Sequence, residues 1–175
     1  MLADVVGSGK TFEAGVILSE LAYRGKVGTL LVVAPNEVIN SWRTVLTKDF
    51  GLGTIKDENG NEEDALLAIR KGDANTRWTR IPIYDGKPTR PVIVDMDVFE
   101  EWARDNASGN DYFSQNYRFD IIIVDEAHKM CKSADNSNGT KSTVAMGLLS
   151  RMIKKNRSTY CLLLSATPHD GDLES

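Results

Sequence analysis

The amino-acid sequence predicts an α/β fold in which helices cover both faces of an open, mostly parallel central sheet. Two observations carry that expectation. Short apolar runs, "TLLVVAP", "PVIVD", "FDIIIVDEAH" and "TYCLLLSATP", alternate with helical patterns, the order expected of parallel βαβ units. These runs are continuously apolar rather than alternating, as strands buried on both faces are. A chain of 175 residues, 41% hydrophobic and 26% charged, can bury one sizeable core, which predicts a single domain.

In chain order, "MLAD" reads as the stub of a strand that feeds a glycine loop. Thr11 to Arg24 reads as a largely buried helix, stopped by Gly25 in the C-cap region. "TLLVVAP" is a strand ended by Pro35, after which Asn36 can cap a helix running to Asp49. Val38, Ile39, Trp42, Val45 and Leu46 fall on one stripe of that helix. "PVIVD" precedes an acidic helix around Phe99 to Arg104, "FDIIIVDEAH" is a buried strand, Thr143 to Lys155 a helix, and "TYCLLLSATP" the last strand. Gly51 to Asn61 and Ser133 to Thr140 have little to bury and read as mobile loops. "RIPIYDGKPTRP" is compatible with a short hairpin turning at Asp85-Gly86 or with irregular chain.

Composition excludes several classes. No apolar run approaches the ~20 residues that span a bilayer, and the N-terminus lacks a basic segment followed by an apolar signal core, so a cytoplasmic setting without membrane contact is expected. Cys131 and Cys161 have no Cys or His neighbour at metal-ligand spacing and read as reduced thiols. The net charge of −4 gives no overall basic footprint, so any contact with nucleic acid must be local.

Three stretches carry chemistry. "VVGSGKT" fits the end of the pattern G-x-x-x-x-G-K-[ST], with Asp4 where its first glycine would stand. Gly7, Ser8, Gly9, Lys10 and Thr11 lie where a strand would end and a helix begin, and a helix N-terminus offers unpaired N–H groups and partial positive charge to a polyphosphate. Lys10 would pair with the β- and γ-phosphates of ATP, and the Thr11 hydroxyl would ligate Mg²⁺. In "IIIVDEAHK", Asp125 and Glu126 stand at the C-terminal end of an apolar strand, the edge at which open α/β sheets bind ligands. Asp125 takes the Mg²⁺ role and Glu126 that of the base acting on water. In "LLLSATPHDGD", Ser165 and Thr167 follow another buried strand, where their hydroxyls would reach the acid cluster or His128. Each stretch alone has a plain structural explanation, as a helix start, a solvated acid pair or a polar strand end; their co-occurrence in one chain argues for nucleotide chemistry.

Taken together, "ADVVGSGKT", "LLVVAP" with Trp42 downstream, "VDEAH" and "LSATPHDGD" resemble motifs I, Ia, II and III of superfamily-two helicases in order and approximate spacing. The sequence is most similar to the Swi/Snf-type DNA translocases, in particular to bacterial and archaeal members related to the RNA-polymerase-recycling ATPase. Asp4 in place of glycine, Glu13-Ala14-Gly15 and "ATPHDGD" fit that branch. Val5 and Ser8 depart from it, and so do Asp95, Met96 and Asp97, which stand where the branch often has Thr or Ser followed by Tyr.

The resemblance implies that residues 1–175 form the first RecA-like lobe, of three-layer αβα P-loop NTPase architecture, cut upstream of motif I and after motif III. It implies an ATPase that binds ATP and Mg²⁺ against a second RecA-like lobe and moves along nucleic acid, with duplex DNA the expected track and a nucleoprotein complex such as RNA polymerase a candidate partner. His128, Ser165 and Thr167 would couple the ATP state to the track, and Pro35 and Asn36 would lie near a DNA backbone. Two other readings are open: a small P-loop kinase, which leaves "DEAH" and "SAT" unexplained, and an isolated nucleotide-binding or protein-interaction module without turnover. No arginine finger can be assigned, because Arg118, Arg151 and Arg157 fall on segments expected to lie away from the edge carrying Asp125.

Overall fold

The computed structural model describes residues 2–3, 9–51, 54–56, 62–64, 66–106, 112–130, 144–155 and 159–165. In chain order the strands and α-helices are β1 (Leu2–Ala3), α1 (Lys10–Tyr23), β2 (Leu30–Ala34), α2 (Ile39–Thr44), β3 (Thr54–Lys56), β4 (Glu62–Asp64), β5 (Leu67–Ile69), β6 (Ile83–Tyr84), β7 (Lys87–Pro88), β8 (Val92–Asp95), α3 (Met96–Asp105), α4 (Tyr112–Asn116), β9 (Ile121–Val124), α5 (Val144–Lys155) and β10 (Tyr160–Ser165). Six strands form the central sheet in the order β1-β10-β9-β2-β8-β5. Every neighbouring pair is parallel, so the sheet is more uniform than the mostly parallel one expected.

Strand periodicity divides the core into two layers. Leu31 and Val33 of β2, Val92 and Val94 of β8 and Ile122 and Val124 of β9 face a cluster that includes Phe99 and Trp102 of α3, Phe113 of α4 and Leu148 and Met152 of α5. The intervening residues Leu30, Val32, Ile93, Ile121 and Ile123 face Ala14 and Leu18 of α1 and Ile39 and Trp42 of α2. Successive side chains of a strand point to opposite faces, so an all-apolar strand is what helices on both sides require. The three-layer αβα architecture is therefore as expected.

Helix α1 ends as its sequence predicts. Gly25 adopts φ +65, and the N–H groups of Gly25 and Lys26 donate to the carbonyls of Ala22 and Leu21, a Schellman closure that a left-handed glycine makes easy. Helix α3 starts three residues before the expected Phe99, because the Asp95 carboxylate accepts the Asp97 N–H at 2.8 Å and caps it.

Three expectations need correction. The helix expected from Asn36 to Asp49 is a 3₁₀ turn (Asn36–Val38), α2 and a π-helical turn (Val45–Asp49), and the Asn36 side chain does not cap it. The 51–61 segment, expected as a loop, contains β3, which pairs with β4 in an antiparallel ribbon. A strand, β5, and a short helix, α4, went unforeseen; β5 extends the sheet beside β8. The ambiguous stretch around Asp85-Gly86 is a hairpin, β6 to β7, with φ +49 and +72 at its two turn residues. The 133–140 segment lies outside the described residues.

Candidate functional site

Three adjacent strands gather the candidate residues at one edge. β1, β10 and β9 run parallel side by side, with Ala3 in register with Ser165 and Leu163 with Val124. The chain therefore leaves all three strands at the same carboxyl edge, which carries Ser165 at the end of β10 and Asp125 and Glu126 after β9; Gly9 and Lys10 open α1, the next described element after β1. This is the edge at which open parallel sheets take ligands. Gly9 adopts φ +87 at the N-terminus of α1, a left-handed conformation that glycine tolerates. Lys10 is buried and Thr11 half-buried in the first turn. Gly7, Ser8 and Thr167 lie outside the described residues.

The acidic end of β9 is held firmly. The Asp125 N–H donates to the Val33 carbonyl of β2 at 2.8 Å, extending the ladder one residue beyond the strand. The Asp125 carboxylate is buried, and each of its oxygens has a donor. Oδ1 accepts the Glu126 N–H at 2.9 Å, and Oδ2 accepts the indole Nε1–H of Trp42 at 2.8 Å. Glu126 adopts φ +49, uncommon outside glycine, and its carbonyl accepts the Lys129 N–H at 2.8 Å. The turn thus aims the two neighbouring carboxylates differently. Glu126 Oε2 is buried and accepts no hydrogen bond from the described residues, although His128 Nδ1 lies 3.2 Å away. The same His128 nitrogen lies 3.1 Å from Ser165 Oγ, joining the short helix Ala127–Met130 to the end of β10.

The donor set suits Mg²⁺. Among the described residues no group of three or more His, Cys, Asp or Glu side chains could hold a metal by itself. Mg²⁺ is commonly held by one or two protein oxygens together with substrate phosphates and water, and a strand-end carboxylate such as Asp125 is a donor of that kind. The unsatisfied Glu126 Oε2 is the atom best suited to accept a hydrogen bond from a water there.

The remaining sites fall out differently. Pro35 is buried at the end of β2, so of the pair Pro35 and Asn36 only Asn36 is exposed. Asp95 is buried; besides capping α3 it accepts the Lys71 N–H at 3.4 Å, while Asp97 pairs with the Lys71 ammonium at 2.7 Å. That hydrogen bond and the Asp97 charge hold the Lys71 ammonium above the ordinary lysine range. The departure at Asp95 and Asp97 thus has a structural use. Arg118 sits just before β9, at the opposite edge of the sheet from Asp125, with its N–H bonded to the Gly86 carbonyl. Arg151 lies on α5, and Arg157 lies outside the described residues. The Trp42 indole was missed as a site group. Its sequence signals were a place on an apolar stripe and a position downstream of "LLVVAP", neither of which points to Asp125, 83 positions away.

A parallel sheet with a lysine-bearing glycine turn and a strand-end acid pair at one edge defines a RecA-like lobe of helicase type. The chain belongs to the family described as "Type III restriction enzyme, res subunit", which matches residues 1–170. Among curated proteins it is 26% identical over 175 residues to "Uncharacterized ATP-dependent helicase YqhH" of Bacillus subtilis, covering 99% of this chain and 24% of that protein. It is 30% identical over 178 residues to "RNA polymerase-associated protein RapA" of Pasteurella multocida, covering 100% of this chain and 16% of that protein. The chain thus spans a quarter or less of these relatives. Its fold matches the "Sulfolobus solfataricus SWI2/SNF2 ATPase core in complex with dsDNA" with a TM-score of 0.54 at 18% identity, covering 95% of this chain and 27% of that one. The fold implied by the Swi/Snf-type resemblance is therefore borne out. No helix among the described residues is long and apolar enough to cross a membrane.

Proposed function

We propose that this chain is the ATP-binding first lobe of a nucleic-acid translocase, with duplex DNA as its track. The observation that carries the reading is the convergence of Asp125, Glu126, His128 and Ser165 at the carboxyl ends of the adjacent parallel strands β9 and β10. In this reading the turn before α1 and Lys10 hold the ATP phosphates. Thr11 and Asp125 hold Mg²⁺, which when bound neutralises charge on the β- and γ-phosphates. Glu126 accepts a proton from water as the water oxygen bonds to the γ-phosphorus and the bond to the bridging oxygen breaks, leaving ADP and phosphate. Asn36, exposed where β2 passes into the α2 segment, faces the track. His128 and Ser165 link the base to the end of β10 and transmit the nucleotide state. The solved SWI2/SNF2 neighbour in complex with dsDNA supports duplex DNA as the track, and the RapA relatives support a partner such as RNA polymerase; a cytoplasmic setting is part of the same proposal.

The test is phosphate release from ATP by the full-length protein with and without duplex DNA. Release stimulated by duplex DNA and lost in Glu126→Gln is expected. Release indifferent to any nucleic acid overturns the translocase reading, and transfer of phosphate to a small acceptor favours a kinase.

A further inference from the structure

We propose that Trp42 is a positioning residue for Asp125, and that through this bond the helix after the Asn36 junction sets the geometry of the metal side of the nucleotide site. The inference rests on Asp125 serving Mg²⁺.

Asp125 stands at the end of an entirely apolar strand, and a buried carboxylate is costly unless donors satisfy it. One donor, the Glu126 N–H, is a local product of the turn. The other, the Trp42 indole, comes from across the sheet edge. With one donor on each oxygen the plane of the carboxylate is fixed, and the lone pairs left over point where a metal or its water can use them. Partners that orient a ligating carboxylate in this way tune metal affinity.

Packing alone does not explain a tryptophan here. Trp42 is fully buried in the cluster with Ala14 and Leu18 of α1 and Leu46, and a phenylalanine would fill much of that apolar space. What the indole adds is a donor, aimed at Asp125.

Helix α2 is also well placed to carry a signal. It begins beyond the exposed Asn36. The π-helical turn after it leads to Phe50, whose ring packs against α1 so closely that a Cβ on Gly15 would lie 2.3 Å from it. The same helical segment thus touches the helix after the phosphate loop and the strand-end carboxylate. A displacement of α2 by about 1 Å takes the indole out of hydrogen-bond range and frees the carboxylate to rotate.

The experiment titrates MgCl₂ into wild-type full-length protein, Trp42→Phe and Leu46→Ala at a fixed concentration of a fluorescent ATP analogue. Trp42→Phe should raise the Mg²⁺ midpoint about tenfold while leaving affinity for the analogue in EDTA unchanged. Leu46→Ala, which loosens the same cluster without touching Asp125, should keep the wild-type midpoint. A wild-type midpoint in Trp42→Phe, or an equal shift in Leu46→Ala, overturns the positioning role and leaves the nucleotide reading standing. Failure of the wild type to bind the analogue at any Mg²⁺ concentration overturns both. Should Trp42→Phe not fold, the indole ¹H–¹⁵N resonance of Trp42 in the wild type, assigned from its through-space contacts to Ala14 and Leu18, gives the answer. It should move when MgCl₂ is added to the nucleotide-bound protein, and a stationary resonance overturns the proposal.

Discussion

His128 Nδ1 lies 3.1 Å from Ser165 Oγ and 3.2 Å from Glu126 Oε2, so one imidazole nitrogen bridges the end of β10 and the carboxylate after β9. Nδ1 has one proton or one lone pair and serves one of these neighbours at a time, so a change at either alters the contacts of the ring. Ser165→Ala removes one side and leaves the phosphate and metal groups in place. In the full-length protein it should leave Mg-ATP affinity within about twofold and reduce stimulation of phosphate release by duplex DNA several-fold, an effect of about 1 kcal/mol. Parallel measurements of basal and DNA-stimulated release separate the two. Equal loss in both would mean that Ser165 serves hydrolysis itself.

Lys10 supplies a full positive charge at the turn before α1, where the helix contributes only a partial one. Lys10→Ala should weaken binding of Mg-ATP by about tenfold or more. The far-ultraviolet circular dichroism should not change, because the helix is closed by Gly25 and packed by Ala14 and Leu18. Equal affinities for wild type and variant, read by fluorescent-analogue titration, would remove Lys10 from the phosphate site.

Much of this arrangement is legible in the sequence because it is local. β2, β9 and β10 are uninterrupted apolar runs bounded by polar turns, and a glycine stands where α1 must stop. β5 is hidden because its three residues come after an acidic stretch and are too few to show a strand pattern, although the Gly72 turn follows them. The α2 region misleads for a tertiary reason. Its apolar stripe is that of one regular helix, yet Trp42 must reach Asp125 while Phe50 folds over Gly15, and the chain departs from α geometry to do both. The identities of Asp125, Glu126, His128 and Ser165 could be read, but not the left-handed turn at Glu126 or the indole that fixes its neighbour.

Phe50 makes Gly15 a demanding position. A methyl group on Gly15 would meet Cε2 of the ring at 2.3 Å and Cδ2 at 2.9 Å, so Gly15→Ala must push the ring aside. The better helix propensity of alanine, about 1 kcal/mol, works against a clash of about 1–3 kcal/mol, and the clash should win. Phe50→Ala in the same background should recover much of the loss, leaving the double variant more stable than the sum of the single changes. Urea denaturation of the four proteins tests this, and strict additivity would mean that the ring moves away without cost.

Asp120, before β9, is bound to the start of β2. Its Oδ2 accepts the N–H groups of Gly28 at 2.8 Å and Thr29 at 2.9 Å, and Lys87 lies 3.5 Å from Oδ1. Burial pushes this carboxyl up, but the Gly28 N–H, the Thr29 hydroxyl and N–H and the Lys87 charge together outweigh it and hold it below the ordinary aspartate range. A carboxyl depressed in the folded state contributes stability above its unfolded pKa, which is lost as pH falls through the folded value. Asp120→Ala should therefore cost about 2 kcal/mol at neutral pH, and less below about pH 4 as the wild type loses the same contribution. Thermal unfolding across pH 2.5–7 is the measurement, and a difference independent of pH would assign the cost to packing alone.

Turnover asks for a positive group beside the γ-phosphate, and neither Arg118 nor Arg70 is placed to supply it. Charge on a transferring γ-phosphoryl group is commonly offset by an arginine worth ~10³ to 10⁵ in rate. Arg118 is at the wrong edge of the sheet. Arg70 comes after β5 at the right edge, but β5 is three strands from β9, about 14 Å away at the usual strand spacing. On the first-lobe reading, the 175 residues alone should hydrolyse ATP at about 10⁻³ or less of the rate of a longer protein that brings an arginine to the site. In that longer protein Glu126→Gln should abolish phosphate release while keeping Mg-ATP affinity, because the amide preserves the shape of the side chain but cannot take the proton from water. Single-turnover release and analogue binding, measured on both proteins, decide it. Rapid hydrolysis by the 175 residues alone would show that the site is complete without a further arginine, and persistent release by Glu126→Gln would move the base elsewhere.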